Sequence, residues 1–264
     1  MDNQILLGKM VGVLVLETMP SIALQYFERA KEIGTDIRRA AIRLVVGIGE
    51  GIAESVKKKA TEEYGPAFRD YYAASTADGL ACECESGGGL HIVADRIIME
   101  TINPDTRQIL QPSEEGELVV TNFIRRAIPR IRIRISHVAS VLPYEPCICG
   151  RTHQKMSKVR GRIVQIVDIM GKRFSPIDVE GVLGTVPELG YDYQIIRDKP
   201  SPNRPKLKLE CQPHAQDVRS LSGRVEEALY HQLGVESEVE LVPMGGISRV
   251  LFKAERFITT YKQS

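Results

Sequence analysis

Two short cysteine pairs, Cys82-Glu83-Cys84 and Cys147-Ile148-Cys149, constrain this chain more than any other feature of its 264 residues. Thiolates are strong zinc ligands, and four sulfur or imidazole donors close a tetrahedral structural site. Two positions apart on an extended segment, both side chains of a pair point to one face. Each pair can therefore clamp one metal from one side. His91 lies between the pairs, after Gly87-Gly88-Gly89-Leu90. Four of the five cysteines fall in these pairs. Buried, inert thiols are the bland alternative. A disulfide fits less well, because nothing in the chain marks an oxidising compartment.

The length allows a substantial core and two domains. Charge is nearly balanced, with 35 Lys and Arg against 34 Asp and Glu. That balance gives no argument for nucleic acid or an anionic membrane as partner. No basic stretch precedes the first apolar residues, so Met1 to Met10 does not read as a signal peptide. The apolar run from Met10 to Leu16 is too short to span a bilayer. The expected setting is the cytoplasm, with no membrane partner.

Val11 to Leu16 has the continuous apolar pattern of a strand buried on both faces. Pro20 to Ile33 predicts a helix, with Ala23, Phe27 and Ala30 on one face and Gly34 at the C-cap. Ile42 to Val46 predicts a second buried strand, which breaks at Gly47-Ile48-Gly49-Glu50-Gly51. A helix near Ala53 to Tyr64 and a strand from Phe68 to Ala73 follow. Alternating strands and helices imply a parallel sheet. Ligands of such sheets bind at the carboxyl ends of the strands. That places the turn after Val46 and the turn Tyr72-Ala73-Ala74-Ser75-Thr76 at the functional edge.

From Leu90 to Val141 the pattern changes to alternation and turns. Asn103 to Arg107 is a turn by composition, and Glu117 to Thr121 a short strand. Ile131, Ile133 and Ile135 alternate with Arg132 and Arg134, so one face is apolar and the other basic. A solvated face and phosphate contact are both open for those arginines. The stretch predicts a small antiparallel barrel or sheet laced by the metal. After Gly161-Arg162, Ile163 to Ile169 predicts a strand. Ser175 and Pro176 open a helix to about Leu183. Strands at Tyr193–Arg197 and Leu207–Cys211, a helix from Val218 to Leu233 stopped by Gly234, and a last strand at Val239–Val242 complete the reading. Lys199 to Pro205 forms a hairpin-like loop. The expected organisation is a parallel α/β core over 1–82, a zinc-laced β region over 83–161, and a small α+β, ferredoxin-like lid over 162–264.

One spacing is more specific. Gly161-Arg162 is followed by eight residues, Gly171, eight more, and Glu180. Upstream, in order, lie Glu83-Cys84, Gly89-Leu90-His91, Glu115 to Thr121, and Pro129-Arg130-Ile131-Arg132-Ile133-Arg134. Near the end lie Ser248-Arg249 and Lys253-Ala254-Glu255-Arg256. From about Val11 to Ile258 this ordered set resembles the phenylacetate–coenzyme A ligase branch of the adenylate-forming superfamily, without its N-terminal portion.

The resemblance implies coupling of a carboxylic acid to ATP, giving an acyl-adenylate and pyrophosphate, then displacement of AMP by a thiol, usually coenzyme A. It implies a hinge at Gly161-Arg162, between a core and a lid that rotates between half-reactions. Arg162 matches the arginine at the nucleotide ribose. Lys253 matches the lid lysine that neutralises charge as the adenylate forms, a physically reasonable use of an ammonium delivered by domain closure. Gly47, Gly49 and Glu50 match the turn at adenine, Tyr72 the nucleotide-stacking tyrosine, and Gly171 the linker motif. On the residues alone, Lys253 reads as a surface lysine and Arg162 as a linker ion-pair partner. For the metal the resemblance favours Cys84, His91, Cys147 and Cys149, whereas spacing alone equally allows Cys82 in place of His91. A filled four-ligand shell makes that zinc structural. Cys211 reads as a core thiol. ATP or AMP, magnesium and coenzyme A enter by the resemblance alone.

Four departures stand against it. No Ser/Thr/Gly-rich run is present to form the anion nest that cradles ATP phosphates. His137 stands where an aspartate should accept from both ribose hydroxyls, and imidazole copies a bidentate acceptor poorly. Thr76 stands at the position of a magnesium-holding glutamate. Ile163-Val164-Gln165 replaces the acidic pair after the linker. Two expectations follow: a ligase completed by a separate N-terminal-half subunit, or a non-catalytic accessory or binding subunit that keeps the fold and the zinc. The departures favour a chain that is inactive or incomplete on its own. Intact Arg162, Gly171, Glu180 and Lys253 favour retained chemistry. An uncovered parallel edge further implies an oligomer, either homo-oligomeric or with that separate half, with Leu6, Leu7 and Met10 at the interface. The alternative is that residues 1 to 10 fold back as a helix and cap the edge.

Overall fold

The computed structural model describes residues 1–75, 77–169, 171–197, 204–249 and 253–260. Thr76 and most of the loop expected at 199–205 lie outside the described residues. The chain opens with helix α1 (Asp2–Val11), which ends at Gly12 with a left-handed φ of 67°. The expected strand at Val11 therefore starts late, as β1 (Val15–Thr18). The helix uses the first part of the apolar run, and Ile5 anchors it in the core. Then follow α2 (Pro20–Glu32), β2 (Leu44–Ile48), α3 (Glu54–Tyr64) and β3 (Ala67–Ala74). Pro20 occupies the first turn of α2, where its missing N–H costs nothing. Strands β1, β2 and β3 pair in parallel. Phe27 of α2 lies against Tyr64 and Phe68, with ring centroids 5.3 and 6.2 Å apart, and ties both helices to the sheet.

Seven strands follow: β4 (Asp78–Glu83), β5 (Leu90–Ile92), β6 (Ile97–Ile102), β7 (Gly116–Asn122), β8 (Arg130–Ala139), β9 (Lys155–Met156) and β10 (Gly161–Arg162). Asp78, with φ 64°, lets the chain turn back, so β4 runs antiparallel beside β3. The first sheet has six strands in the order β1-β2-β3-β4-β5-β9. It runs through the division expected at 82/83. The second sheet is antiparallel, in the order β10-β8-β7-β6.

The segment expected as one strand over Ile163–Ile169 divides. Residues 163–165 form a short 3-10 turn, and β11 (Val167–Ile169) pairs with β12 (Lys172–Phe174) as a hairpin. Helix α4 (Pro176–Leu183), β13 (Leu189–Arg197), β14 (Lys206–Cys211), α5 (Val218–Leu233), β15 (Glu238–Pro243) and β16 (Phe257–Thr259) complete the chain. Their sheet has the order β15-β14-β13-β16, in which β14–β15 and β13–β16 are parallel. This α+β unit therefore differs from the expected ferredoxin-like one, whose neighbours all alternate in direction. Its own core joins Val179 and Val182 of α4 to Leu221, Val225 and Leu229 of α5.

A polar seam joins this unit to the first sheet's helices. Ser55 Oγ donates to the Gly181 carbonyl at 2.7 Å, and Lys59 Nζ to that of Leu189 at 2.6 Å. Tyr191 donates to Glu63 at 2.8 Å, and Arg249 to Glu28 at 2.5 Å. The approach demands glycine at 184, where a Cβ would stand 2.7 Å from the Val56 backbone nitrogen. No helix among the described residues is long and apolar enough to cross a membrane.

Candidate functional site

A cleft opens where β2 and β3 end and the last unit begins. Gly47, Gly49, Glu50, Tyr72, His137, Arg162 and Lys253 all line it. The turn after β2 comes close to α2: a Cβ on Gly47 would lie 2.9 Å from Pro20 Cγ, and Gly49 has φ 87°. Glu50 accepts a hydrogen bond from Ser21 at 2.7 Å.

His137 reaches the cleft through an irregular strand. The β7–β8 register slips between Glu117 and Val119, and Ser136 takes φ 57°. A bulge of this kind re-aims the next side chain. Buried Glu117 holds it, accepting from the Ser136 N–H at 3.2 Å and from Arg134 Nε at 2.6 Å. His137 then meets Tyr72, with Oη 2.7 Å from Nδ1. On its other side β8 pairs with β10, so that His137 opposes Arg162 across the ladder. Burial, with the charges of Arg162 and Lys253 adding, pushes the imidazole down to about 4. Desolvation also pulls Lys253 below the usual lysine value, with Glu50 opposing and Arg162 adding. Gln165 accepts from the Arg162 N–H at 2.9 Å and lines the cleft.

Gly171 stands apart. It lies at the β11–β12 turn with φ 79°, donates to Asp168 at 2.9 Å, and is not among the lining residues.

The cleft also contains groups the sequence reading passed over. Asp70 accepts from Lys57 at 2.9 Å, and Lys57 also reaches Glu83 at 2.5 Å. Lys158 lies 3.4 Å from Asp70 and pairs with Glu54. Burial raises Asp70 to about 6, against the pull of Lys57, and lowers Lys158 to about 8. Burial likewise raises Glu180, which Arg256 opposes, to about 7. Arg256 sits over the Tyr193 ring at 4.3 Å and 3.2 Å from Asp192. Three arginines of the β8 region are engaged, Arg125 with Asp78, Arg132 with Glu100 and Arg134 with Glu117, whereas the Arg130 Nε is buried without a partner among the described residues.

A second constellation gathers Cys84, His91, Cys147 and Cys149, whose donor atoms all lie within 4.8 Å of one another. Cys84 follows β4, His91 lies in β5, and the other two flank the exposed Ile148 in a turn closed by the Gly150 N–H on the Cys147 carbonyl at 2.9 Å. Cys82 lies opposite His91 in the β4–β5 register but outside this group. The backbone N–H of Cys149 is the main reason the Cys147 thiol falls to about 5.

The comparisons bear on this geometry. Residues 171–260 match the family described as AMP-binding enzyme C-terminal domain. The phenylacetate-coenzyme A ligase of Thermus thermophilus is 28% identical across 94% of this chain and 60% of its own length. That of Escherichia coli is 26% identical across 90% of the chain and 56% of its own length. Phenylacetate–coenzyme A ligases are thus homologous to this chain over nearly all of its length, and its last part matches an AMP-binding enzyme C-terminal domain. The chain spans 56–60% of the length of these curated relatives. The fold of 2-hydroxyisobutyryl-CoA ligase in its postadenylation state, in complex with R3-HIB-AMP, matches with a TM-score of 0.90 at 21% identity, over 97% of this chain and 56% of that one. The same ligase in its thioesterification state matches the same shares with a TM-score of only 0.58 at 22% identity. Since both are one protein, the drop reflects the arrangement of its parts. The fold described here superposes better on the first arrangement.

The His137 shift has a definite sign. In the unfolded chain the imidazole titrates near 6.5, and in the fold near 4. The stability it contributes is present above the unfolded value and is lost as pH falls towards the folded one. The full difference is about 3 kcal/mol. Urea unfolding of the wild type and of His137→Asn, each at pH 7 and pH 4, should show the wild type losing that much more. Glu28 and Glu180 titrate in both proteins and cancel in the comparison. Equal losses would show that His137 is not held neutral.

Proposed function

We propose that this chain is an adenylate-forming ligase-like protein whose cleft takes a nucleotide-type ligand, and which does not complete acid activation on its own. The carrying observation is the convergence of the Gly47–Gly51 turn, Tyr72, His137, Arg162 and Lys253, remote in sequence, on one cleft. By analogy with the branch, ATP or AMP would lie against these residues, and magnesium and coenzyme A would complete the reaction. Against self-sufficient chemistry stand neutral His137 in place of a carboxylate and Gln165 in place of an acid. Losing a charged hydrogen bond to ribose weakens binding by about tenfold or more. Calorimetry on the isolated chain should find ATP and AMP weaker than micromolar, and micromolar affinity would overturn the proposal. The second reading, a non-catalytic accessory subunit, is favoured by the contrast between a substituted cleft and an intact Cys/His cluster.

That cluster fits zinc. A tetrahedron with Zn–S bonds of about 2.3 Å has edges of about 3.8 Å. Cys84 Sγ lies 3.8 Å from Cys147 Sγ, and Cys149 Sγ 3.4 Å from His91 Nε2. His91 Nδ1 lies 3.0 Å from the His153 carbonyl, the second hydrogen bond that fixes the tautomer of a metal-bound histidine. Cys84, His91, Cys147 and Cys149 would hold the ion and staple the β8–β9 loop to β4 and β5. Metal analysis of tag-free protein should give about one zinc per chain. Cys149→Ser should abolish it and lower stability by several kcal/mol, since structural metal binding is folding free energy. Full stability without metal would remove the zinc.

The partner we propose is a second copy or a separate N-terminal-half protein. Leu6, Leu7, Met10, Val11 and Leu14 are exposed beside the edge strand β1. Helix α1 forms, yet leaves this face uncovered. Free cysteines throughout fit the cytoplasm. Sedimentation at micromolar concentration should show an oligomer or instability relieved by the other half; a well-behaved monomer would remove the partnership.

A further inference from the structure

The strands that carry the Cys/His cluster also build the floor of the cleft. Glu83 ends β4 and Cys84 follows it, and neighbours on an extended chain face opposite ways. Cys84 turns to His91, Cys147 and Cys149, whose donor atoms gather with its own within 4.8 Å. The Glu83 side chain is only 5% exposed. It accepts from Lys57 Nζ at 2.5 Å and from the Asp70 N–H at 2.9 Å. The β3–β4 pairing stops at Tyr71 and Cys82, so this carboxylate takes the Asp70 N–H one step beyond the ladder. Asp70 lines the cleft, and its Oδ1 is buried without a partner among the described residues. Lys158, 3.4 Å from Asp70 Oδ2, closes the same floor. It follows β9 by two residues, and β9 pairs with His91 and Leu90 of β5. Lys155 of β9 also donates to the Gly87 carbonyl at 2.9 Å, in the loop between Cys84 and His91.

We infer that Glu83 is a positioning residue that carries metal occupancy from the cluster to Asp70, so that the cleft holds its ligand more tightly when the cluster is filled. The inference rests on reading the cluster as a zinc site and the cleft as a ligand site, and adds the link between them. The backbone alone gives that link little stiffness. Strand β5 is three residues long and β9 two. The loop from Cys84 to His91 carries three consecutive glycines, the residue that loses most freedom on ordering. A metal bonded to all four donors supplies the missing constraint. Without it the end of β4 and the 147–149 turn are held by little, and Glu83 moves with Cys84. Asp70 offers one free oxygen to the cleft only while Glu83, Lys57 and Lys158 hold the rest of it. A buried charged group responds strongly to a displaced partner. The coupling must run both ways: a ligand in the cleft tightens the metal by the factor by which the metal tightens the ligand.

The test uses the full chain, loaded with zinc or stripped by a chelator, with AMP as the probe. Amide exchange followed by NMR should show the Asp70 N–H protected in the loaded protein. Stripping should speed its exchange by about tenfold or more, while β2 amides such as that of Val45 keep their protection. AMP should bind several-fold more weakly after stripping. Saturating AMP should raise zinc affinity, measured by competition with the chelator, by the same factor. Glu83→Ala leaves the four donors untouched, so it should keep its zinc and lose the coupling. Glu83→Gln, which still accepts from the Asp70 N–H, should restore part of it. Asp70 exchange unmoved by metal, in protein that binds and loses zinc, overturns the inference and leaves both earlier readings standing. Coupling that survives in Glu83→Ala overturns it equally. If the stripped protein or the alanine variant unfolds, the loaded wild type decides, and zinc affinity unchanged by bound AMP overturns the link. Protein that holds no zinc removes the zinc reading and the inference together. AMP that does not bind removes the nucleotide reading, and Asp70 exchange alone then decides the link.

Discussion

The antiparallel pairing of β10 with β8 is the constraint on which the cleft depends. It is only two residues long, yet it fixes Arg162 opposite His137 and hands the chain from the second sheet to the last unit. Gly161 has φ 130°, a conformation that few other residues would accept at this turn. Just before the pairing β8 is irregular, and the Glu117 carboxylate holds that irregular stretch by accepting from the Ser136 N–H. Backbone irregularity, a buried acid and a glycine turn together accompany the delivery of two side chains to one point.

The seam between the first sheet and the last unit follows a different logic. Arg249 is shared among Glu28 of α2, at 2.5 Å, and Glu210 and Asp192 of the last sheet, at 3.3 and 3.6 Å. Burial raises Glu28 to about 7 despite Arg249. Buried ion pairs of this kind add little net stability, because desolvation offsets attraction, but a partner removed leaves an uncompensated charge. The seam therefore selects one arrangement without cementing it. Two of the three carboxylates, Glu210 and Asp192, belong to the last sheet, and only Glu28 reaches across from α2. The TM-scores of 0.90 and 0.58 against two states of one ligase show that arrangements of this fold differ at that scale.

What was legible in the sequence follows the range of the forces involved. Helices α4 and α5 could be bounded closely, because Ser175, Pro176 and Gly234 act within one turn. The Cys/His cluster could be narrowed but not decided. Spacing leaves Cys82 and His91 as equal candidates beside the second pair, and only the placement of the donor atoms, which gathers His91 with Cys84, Cys147 and Cys149, separates them. Strand β1 was read too early because an apolar run does not reveal that a helix claims its start. Strand β16 was missed because Phe257–Thr259 is too short to show a period. Glu117, Asp70 and Lys158 were missed for a deeper reason. Each is an ordinary charged residue until a distant strand arrives beside it.

The same argument bears on what the substitution at position 137 does to the molecule. A carboxylate there would have faced Arg162 across the β8–β10 pairing. Histidine held without a proton contributes no charge, so Arg162 is left without that partner at the mouth of a partly desolvated cleft, while Glu50 still acts on Lys253. The fold tolerates this because Tyr72 and His137 satisfy each other, and because Arg162 and Lys253 remain exposed enough to keep water.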